Sequence, residues 1–355
     1  MGRPAPSRQT FPLVEASGSP YEVGFQHGRQ CQALIPSFVD RGLAWLNHYQ
    51  PMSRQEALQR ARAYLPHARD FAPDLVEEMQ GIADGAGVSL DEVLLLNVRT
   101  LLLYTAPPEC TAFAVVPPAT ADGSVLFGQN HDWDPAGERF GLLLHLRPRG
   151  KPPVLMFGYP GQVGFIGMNA AGVGLAMNLL RSPGWRVGVP HYLIARRCLE
   201  QESVAACVDL IARAHRPSSV NLLLADRHGA VSVETTPTDH VVLPPDERGV
   251  LVHTNHYRAP QFLEQERLLA ELPDSPARSI CATRALRQQA GRIDRGVVED
   301  LLRDHQGYPV SICRHATDKP GSLETVVGFV GCPSRGEVSV AVGNPCESTF
   351  QTYVV

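Results

Sequence analysis

The residues with the most chemistry to offer are a cysteine and the polar clusters downstream of it. Cys110 follows Pro107-Pro108-Glu109 and leads directly into the strand-forming run Thr111 to Val116. A thiolate is a strong nucleophile, but a free thiol is only a few per cent ionised at neutral pH and needs a base or a cation beside it. A lone cysteine in such a run is ordinarily a small core residue. What sets this one apart is the company of Gly128-Gln129-Asn130-His131-Asp132-Trp133-Asp134 and of His253-Thr254-Asn255-His256. Strand ends crowded with Asn, His and Asp are costly to bury unless those groups are used or bonded to one another. The residue types alone leave several chemistries open. Cys110 with His253 or His256 would make a papain-like thiol hydrolase with no processing. His131, Asp132, His253 and His256 are metal-ligand types, but their spacing fits no zinc pattern, so no metal is expected. A catalytically inert binding protein is the third reading, with a pocket that holds a ligand without turning it over.

Further segments narrow the choice. Cys110-Thr111, Gly128-Gln129-Asn130 with Asp132, and Gly161 to Asn178 (GQVGFIGMNAAGVGLAMN) are followed by Gly188-Val189-Pro190. Val252-His253-Thr254-Asn255-His256 and Tyr308-Pro309-Val310-Ser311-Ile312-Cys313-Arg314 complete the series. In content and order these segments resemble the acyl-coenzyme A:6-aminopenicillanic acid acyltransferases (isopenicillin N acyltransferases), a family of cysteine N-terminal-nucleophile hydrolases. The resemblance implies an α+β fold, a four-layer αββα sandwich with an N-terminal helical segment, made as an inactive precursor. The thiol of Cys110 would attack the carbonyl of Glu109, and water would resolve the thioester. Cys110 would then be a new N-terminus carrying both thiol and α-amine. An α-amine has a reference pKa of roughly 7.7 to 8.0 and is a competent base near neutrality, which the amide it replaces is not.

The resemblance also implies roles for the partners. Asp132 would hold the new amine, Asn255 would donate to the oxyanion, and Arg314 would lower the thiol pKa or bind a substrate carboxylate. Thr111, Asn178 and Thr236 match pocket-lining positions, and Cys313 reads as core. The implied reaction cleaves or forms an amide bond through a thioester on Cys110, on a small-molecule amide or acyl thioester. No bound cofactor is expected, coenzyme A being a co-substrate or product. The chain departs from the eponymous enzyme in having Glu109 where that enzyme has glycine, His131 where it has tryptophan, and Ala112 where it has threonine. Glu109 therefore becomes either an obstacle to self-cleavage or its proton carrier.

Such residues need a scaffold. Ser53-Arg54-Gln55-Glu56 and Ser89-Leu90-Asp91-Glu92 read as helix-capping boxes, and Leu75, Met79, Ile82 and Ala83 keep a helical period between them, so the first hundred residues read as helices. After Cys110 hairpins dominate: Thr111–Val116 with Ser124–Gln129, Gly164–Met168 with Gly172–Asn178, Val220–Ala225 with Ala230–Glu234, and Thr325–Val330 with Glu337–Val342. Helical patterns over 191–199, 203–214, 277–289 and 295–304 interrupt them. Hairpins mixed with helices predict an α+β architecture on antiparallel sheets. The boundary falls at 105–110. Residues 1–109 form the helical segment and 110–355 the catalytic one, and cleaved fragments should remain associated as one structural unit.

The 355 residues include 44% hydrophobic and 19% charged, with net charge −4, a balance suited to a folded core and not to nucleic-acid binding. The eight cysteines are scattered, unlike a disulfide framework. No apolar run is long enough to span a bilayer, no apolar stretch follows Arg3 and Arg8 as a signal peptide would need, and the expected setting is the cytoplasm.

Overall fold

The computed structural model describes residues 10–102, 109–319 and 321–355. The expected boundary at 105–110 therefore lies, up to residue 108, outside the described residues, as does the start of the N-terminal stretch.

The chain opens on a strand, β1 (Leu13–Gly18), then runs through six helices: α1 (Pro20–Gln30), α2 (Leu34–Tyr49), α3 (Arg54–Arg62), α4 (Leu65–Phe71), α5 (Pro73–Ala86) and α6 (Leu90–Val98). Ser53 and Ser89 each accept the backbone N–H three residues on, and Glu92 returns the bond to Ser89, so the capping signals start the helices they were expected to start. α1 crosses α5 at backbone contact: a methyl group on Gly24 would lie 1.9 Å from the Glu78 carbonyl oxygen, and one on Gly85 2.3 Å from that of Phe25. Strands β2 (Glu109–Val115), β3 (Leu126–Trp133), β4 (Leu142–Pro148), β5 (Val154–Gly158), β6 (Gly167–Asn169) and β7 (Gly174–Leu179) come next. They are followed by helices α7 (His191–Cys198) and α8 (Val204–Arg213) and strands β8 (Val220–Asp226), β9 (Gly229–Thr235), β10 (His240–Leu243) and β11 (Val250–His253). Helices α9 (Ser275–Gln289) and α10 (Arg295–Leu302) and strands β12 (Glu324–Cys332), β13 (Glu337–Val342) and β14 (Gln351–Val354) close the chain.

These strands make two sheets, one in the order β1-β4-β5-β6-β7-β8-β9-β10 and one in the order β11-β2-β3-β12-β13-β14. Pairing is antiparallel except where β1 joins β4 in parallel. That strand corrects the expectation of a purely helical N-terminal segment: residues 13–18 complete a sheet of the segment after Cys110, which ties the two together. The strand expected over 164–168 begins only at Gly167.

The alternation of side chains along β2 and β3 sets the layers. Ala112, Ala114 and Phe127 join the core between the two sheets, whereas Phe113, Val115 and Leu126 pack with Ala282, Leu286 and Val298 of α9 and α10. On the far side of the larger sheet, α1 lies on β1 and β4, and α8 on β8 and β9. The order helix, sheet, sheet, helix is thus the expected αββα sandwich. Among the described residues no helix is long and apolar enough to cross a membrane.

Candidate active site

The same alternation divides the surroundings of Cys110 between two faces of β2. Its side chain points between the sheets, into a void of about 20 Å³ lined by His131, Phe165, Met177, Leu179 and Val220 among others. Register places His131 of β3 opposite Cys110, and the thiol Sγ lies 3.5 Å from His131 Nδ1. Burial pushes the thiol well above its ordinary value, and the Asp132 charge adds to this against the pull of Arg278. Burial, aided by Arg99, lowers His131 to about 3. In the continuous chain the pair is therefore a protonated thiol against a neutral imidazole.

Glu109, Thr111 and Asp132 face the other way, toward α9. There three carboxylates share two guanidinium groups. Arg278 donates to Glu109 Oε2 at 2.9 Å and to Asp274 Oδ2 at 2.7 Å, and Arg314 donates to Asp274 Oδ2 at 2.6 Å and also to Glu109. Asp132 Oδ1 accepts from the Thr325 hydroxyl at 2.6 Å, while its Oδ2, 3.8 Å from Arg314 Nε, is buried without a hydrogen-bond partner. Burial raises Glu109 to about 7 and Asp132 to about 6, with both arginines pulling against it. Burial also opposes ionisation of Asp274, but Arg278 and Arg314 outweigh it and hold that carboxyl below its usual range.

The peptide joining Glu109 to Cys110 runs between these two environments. The Cys110 N–H donates to Asn255 Oδ1 at 2.9 Å, and Asn255 Nδ2 donates to the Leu179 carbonyl at 3.1 Å. The Cys110 carbonyl accepts from Arg278 Nη1 at 2.9 Å and more weakly from Asn178 Nδ2 at 3.4 Å. Thr111 Oγ1 accepts from the same Arg278 nitrogen at 3.0 Å. Cys110, Thr111, Asp132, Asn178, Asn255 and Arg314 are thus gathered around one peptide bond together with Glu109. Thr236 is not: its hydroxyl caps the turn to Asp239, accepting from the Thr238 and Asp239 N–H groups.

Three features differ from expectation. The cation acting on the thiol is Arg278, not Arg314, which lies on the carboxylate side. Neither histidine of a papain-like pair faces the thiol. His253 Nε2 is 2.7 Å from Glu234 and its Nδ1 2.7 Å from the Thr254 carbonyl, and His256 Nδ1 is 2.8 Å from Ser275 Oγ. The imidazole at the thiol is that of His131. Nor are His131, Asp132, His253 and His256 placed to hold a metal together; among the described residues the group whose donor atoms could do so is His305, Cys313, His315 and Cys346, two of which flank Arg314. Arg278 and Asp274 were missed because an acid and an arginine four apart at a helix start look like an exposed ion pair.

An open cleft of about 1170 Å³ borders the carboxylate side, with Glu109 and Arg314 in its lining beside Arg41, Trp45, Trp133 and Lys319. A narrow void shares Trp45 and Trp133 with this cleft, and Thr100, His131 and Tyr192 with the void at Cys110. Aromatic side chains thus separate the cleft from the void at the thiol.

A family model described as acyl-coenzyme A:6-aminopenicillanic acid acyl-transferase matches residues 119–347, more than half of the chain. The acyl-coenzyme A:6-aminopenicillanic-acid-acyltransferase 40 kDa form of Emericella nidulans is 27% identical over 347 residues, covering 96% of this chain and 95% of that one. The beta-alanyl-dopamine/carcinine hydrolase of Drosophila melanogaster is 31% identical over 102 residues, 28% of this chain and 26% of that one. Among solved structures, a Caenorhabditis elegans N-acylethanolamine-hydrolyzing acid amidase ortholog superposes with TM-score 0.49 at 18% identity, covering 63% of this chain and 93% of that chain.

Proposed function

The chain belongs to the acyl-coenzyme A:6-aminopenicillanic acid acyl-transferase family, and from that premise we propose that it cleaves or forms amide bonds through a thioester on Cys110, after cutting its own chain between Glu109 and Cys110. The observation that carries this reading is what meets at the Glu109–Cys110 junction: a thiol beside a neutral imidazole on one face, two arginines on the Glu109 carboxylate and on the carbonyl of the following peptide bond on the other, and Asn255 on the Cys110 nitrogen.

In the self-cleavage step Sγ adds to the Glu109 carbonyl carbon and the thiol proton passes to the Cys110 nitrogen, with the neutral His131 imidazole beside the sulfur. The C–N bond then breaks, leaving a thioester on Cys110 and an amine on its nitrogen. Water then hydrolyses the thioester, leaving a carboxylate on Glu109 and a free thiol on Cys110. Before the cut the Cys110 nitrogen is an amide without basicity. Afterwards it is an α-amine, with a reference pKa of roughly 7.7 to 8.0, on the same residue as the thiol. Asp132 Oδ2, buried and unpartnered, is the acceptor this amine would find. Asn255 Nδ2, which donates to the Leu179 carbonyl in the continuous chain, is the side-chain donor that would turn to the oxyanion of each tetrahedral intermediate.

Arg278 and Arg314 hold the Glu109 carboxylate in the continuous chain. Once Glu109 leaves, they are suited to a carboxylate on the incoming substrate, entering through the cleft. Water or an amine then resolves the acyl-enzyme, giving hydrolysis or transfer. An acyl-coenzyme A is the donor suggested by the family name, with coenzyme A leaving as product. Incubating the protein with an acyl-coenzyme A, quenching in acid and mapping peptides by mass should find the acyl mass on the peptide that begins at Cys110. An acyl adduct on another residue, with Cys110 unmodified, would refute the assignment.

A further inference from the structure

Four side chains with soft or borderline donor atoms meet just beyond the carboxylate cluster. His305 follows α10, Cys313 and His315 flank Arg314, and Cys346 lies between β13 and β14. Their donor atoms all lie within 4.8 Å of one another. Cys313 Sγ is 3.6 Å from Cys346 Sγ, His315 Nε2 is 3.8 and 3.3 Å from those two sulfurs, and His305 Nε2 is 3.0 Å from His315 Nε2. We propose that these four residues bind one zinc-type divalent cation in a closed Cys2His2 site.

The spacing is the first ground. Tetrahedral Zn²⁺ takes sulfur at about 2.3 Å and nitrogen at about 2.0 to 2.1 Å, so its ligand atoms lie about 3.3 to 3.8 Å apart. Four of the six separations fall within about half an ångström of that range, and the two from His305 to the sulfurs lie within 4.8 Å, so His305 would close in on binding. The second ground is the donor count. Two sulfurs and one imidazole nitrogen crowd onto His315 Nε2, which has a single lone pair or a single proton to share with them. Hydrogen bonding satisfies one such contact, whereas a cation at their centre satisfies all. Two thiolates and two imidazoles in a tetrahedron select zinc over harder cations, and four protein ligands leave no open position, so the ion is structural and not catalytic.

The third ground is the backbone that presents the ligands. The Cys313 N–H donates to the Asp304 carbonyl at 2.9 Å, the His315 N–H to the Pro309 carbonyl at 3.0 Å, and Asn344 Nδ2 to the Arg314 carbonyl at 2.6 Å. A bound ion would join the loop after α10 to the loop after β13 and clamp the chain on both sides of Arg314. The exposure of His305 gives the ion a way in. This departs from the sequence-based expectation of no metal, because His305, Cys313, His315 and Cys346 show none of the paired spacings of known zinc patterns. It stands independently of the thioester reading.

The test is zinc content by inductively coupled plasma mass spectrometry on untagged full-length protein purified without added metal, beside a Cys313→Ala/Cys346→Ala variant. The wild type should hold one zinc per chain and the variant none. As a second measurement that does not depend on the variant folding, the wild type is stripped with a chelator and titrated with Co²⁺ alone. Tetrahedral d–d bands and a thiolate-to-cobalt charge-transfer band should appear, saturate at one equivalent and vanish on adding zinc. Wild-type protein with no zinc and no cobalt bands would overturn the proposal, as would equal zinc in the variant. A Cys313–Cys346 disulfide, seen as a mass lower by two hydrogens, would overturn it as well.

Discussion

Two buried arginine clusters use the same residue types to opposite ends. In one, Arg196 grips both oxygens of Glu78 at 3.1 Å and meets Glu200, while Arg197 and Lys151 pair with Asp74 and Glu200. Three cations face three carboxylates, and the cluster welds α5 to α7. In the other, among the described residues, Glu109, Asp132 and Asp274 share Arg278 and Arg314, three carboxylates to two cations. Burial raises a carboxyl in both clusters, Glu78 in the first and Glu109 and Asp132 in the second, and leaves a carboxylate oxygen without a hydrogen bond in each, so it is the charge count that separates them. A balanced cluster holds the fold together. An unbalanced one is poised to take up a proton, an ammonium or a substrate charge.

Breaking the balanced cluster should cost stability and little else. Arg196→Met strands Glu78 without its buried partner, Glu200 keeping Lys151 and Arg197, and should lower unfolding free energy by roughly 3–5 kcal/mol, with kcat per folded molecule unchanged. Denaturant unfolding beside an activity assay at low temperature checks this, and a large fall in kcat would erase the distinction. At the second site Asn255→Ala should do the reverse, lowering kcat by roughly 10²–10³-fold, about 2.7–4 kcal/mol of transition-state stabilisation, with a smaller loss of stability. Assays on protein already cut keep that effect separate from processing.

A third test sharpens the contrast through pH. Glu109 titrates near 7 in the folded chain against an ordinary 4.5, so the folded state binds the proton more tightly. Stability is fully present below about 4.5 and falls as pH rises toward 7, because ionising the buried acid favours unfolding. Asp132, raised to about 6 from 3.8, adds a parallel loss at lower pH. In a Cys110→Ala background, where the chain stays whole, Glu109→Gln should flatten the fall between pH 4.5 and 7. An unchanged pH profile would place the surplus charge elsewhere.

Asp132 and Asn255 drew notice because they lie in polar runs that interrupt apolar strands, and Cys110 and Arg314 through the family resemblance. Hairpins alternating with helices gave an α+β fold on antiparallel sheets, and the resemblance supplied its αββα layering. Other parts depended on contacts far apart in sequence. Arg278 reaches Glu109 and Cys110 across 169 and 168 residues, and nothing local to α9 marks it as different from Arg284 or Arg287. β1 is six residues long and finds its parallel partner 130 residues away at β4, so its strand character is supplied by tertiary pairing. His131 stood out as part of a polar run and as a departure from the family's tryptophan, but its place beside the thiol follows from the register that sets it opposite Cys110. Thr236 matched a family position by sequence, but the turn it caps keeps its hydroxyl to itself.

The most direct test of the central claim is intact mass under denaturing conditions, wild type beside Cys110→Ala. Dividing 38.7 kDa in proportion to chain length, a cut before Cys110 gives pieces of about 12 and 27 kDa. The account predicts both pieces in the wild type, the larger beginning at Cys110, and a whole chain in the variant. A wild-type chain that stays whole yet turns over substrate would contradict it, and would mean that the Cys110 thiol works beside His131 without ever becoming an N-terminus.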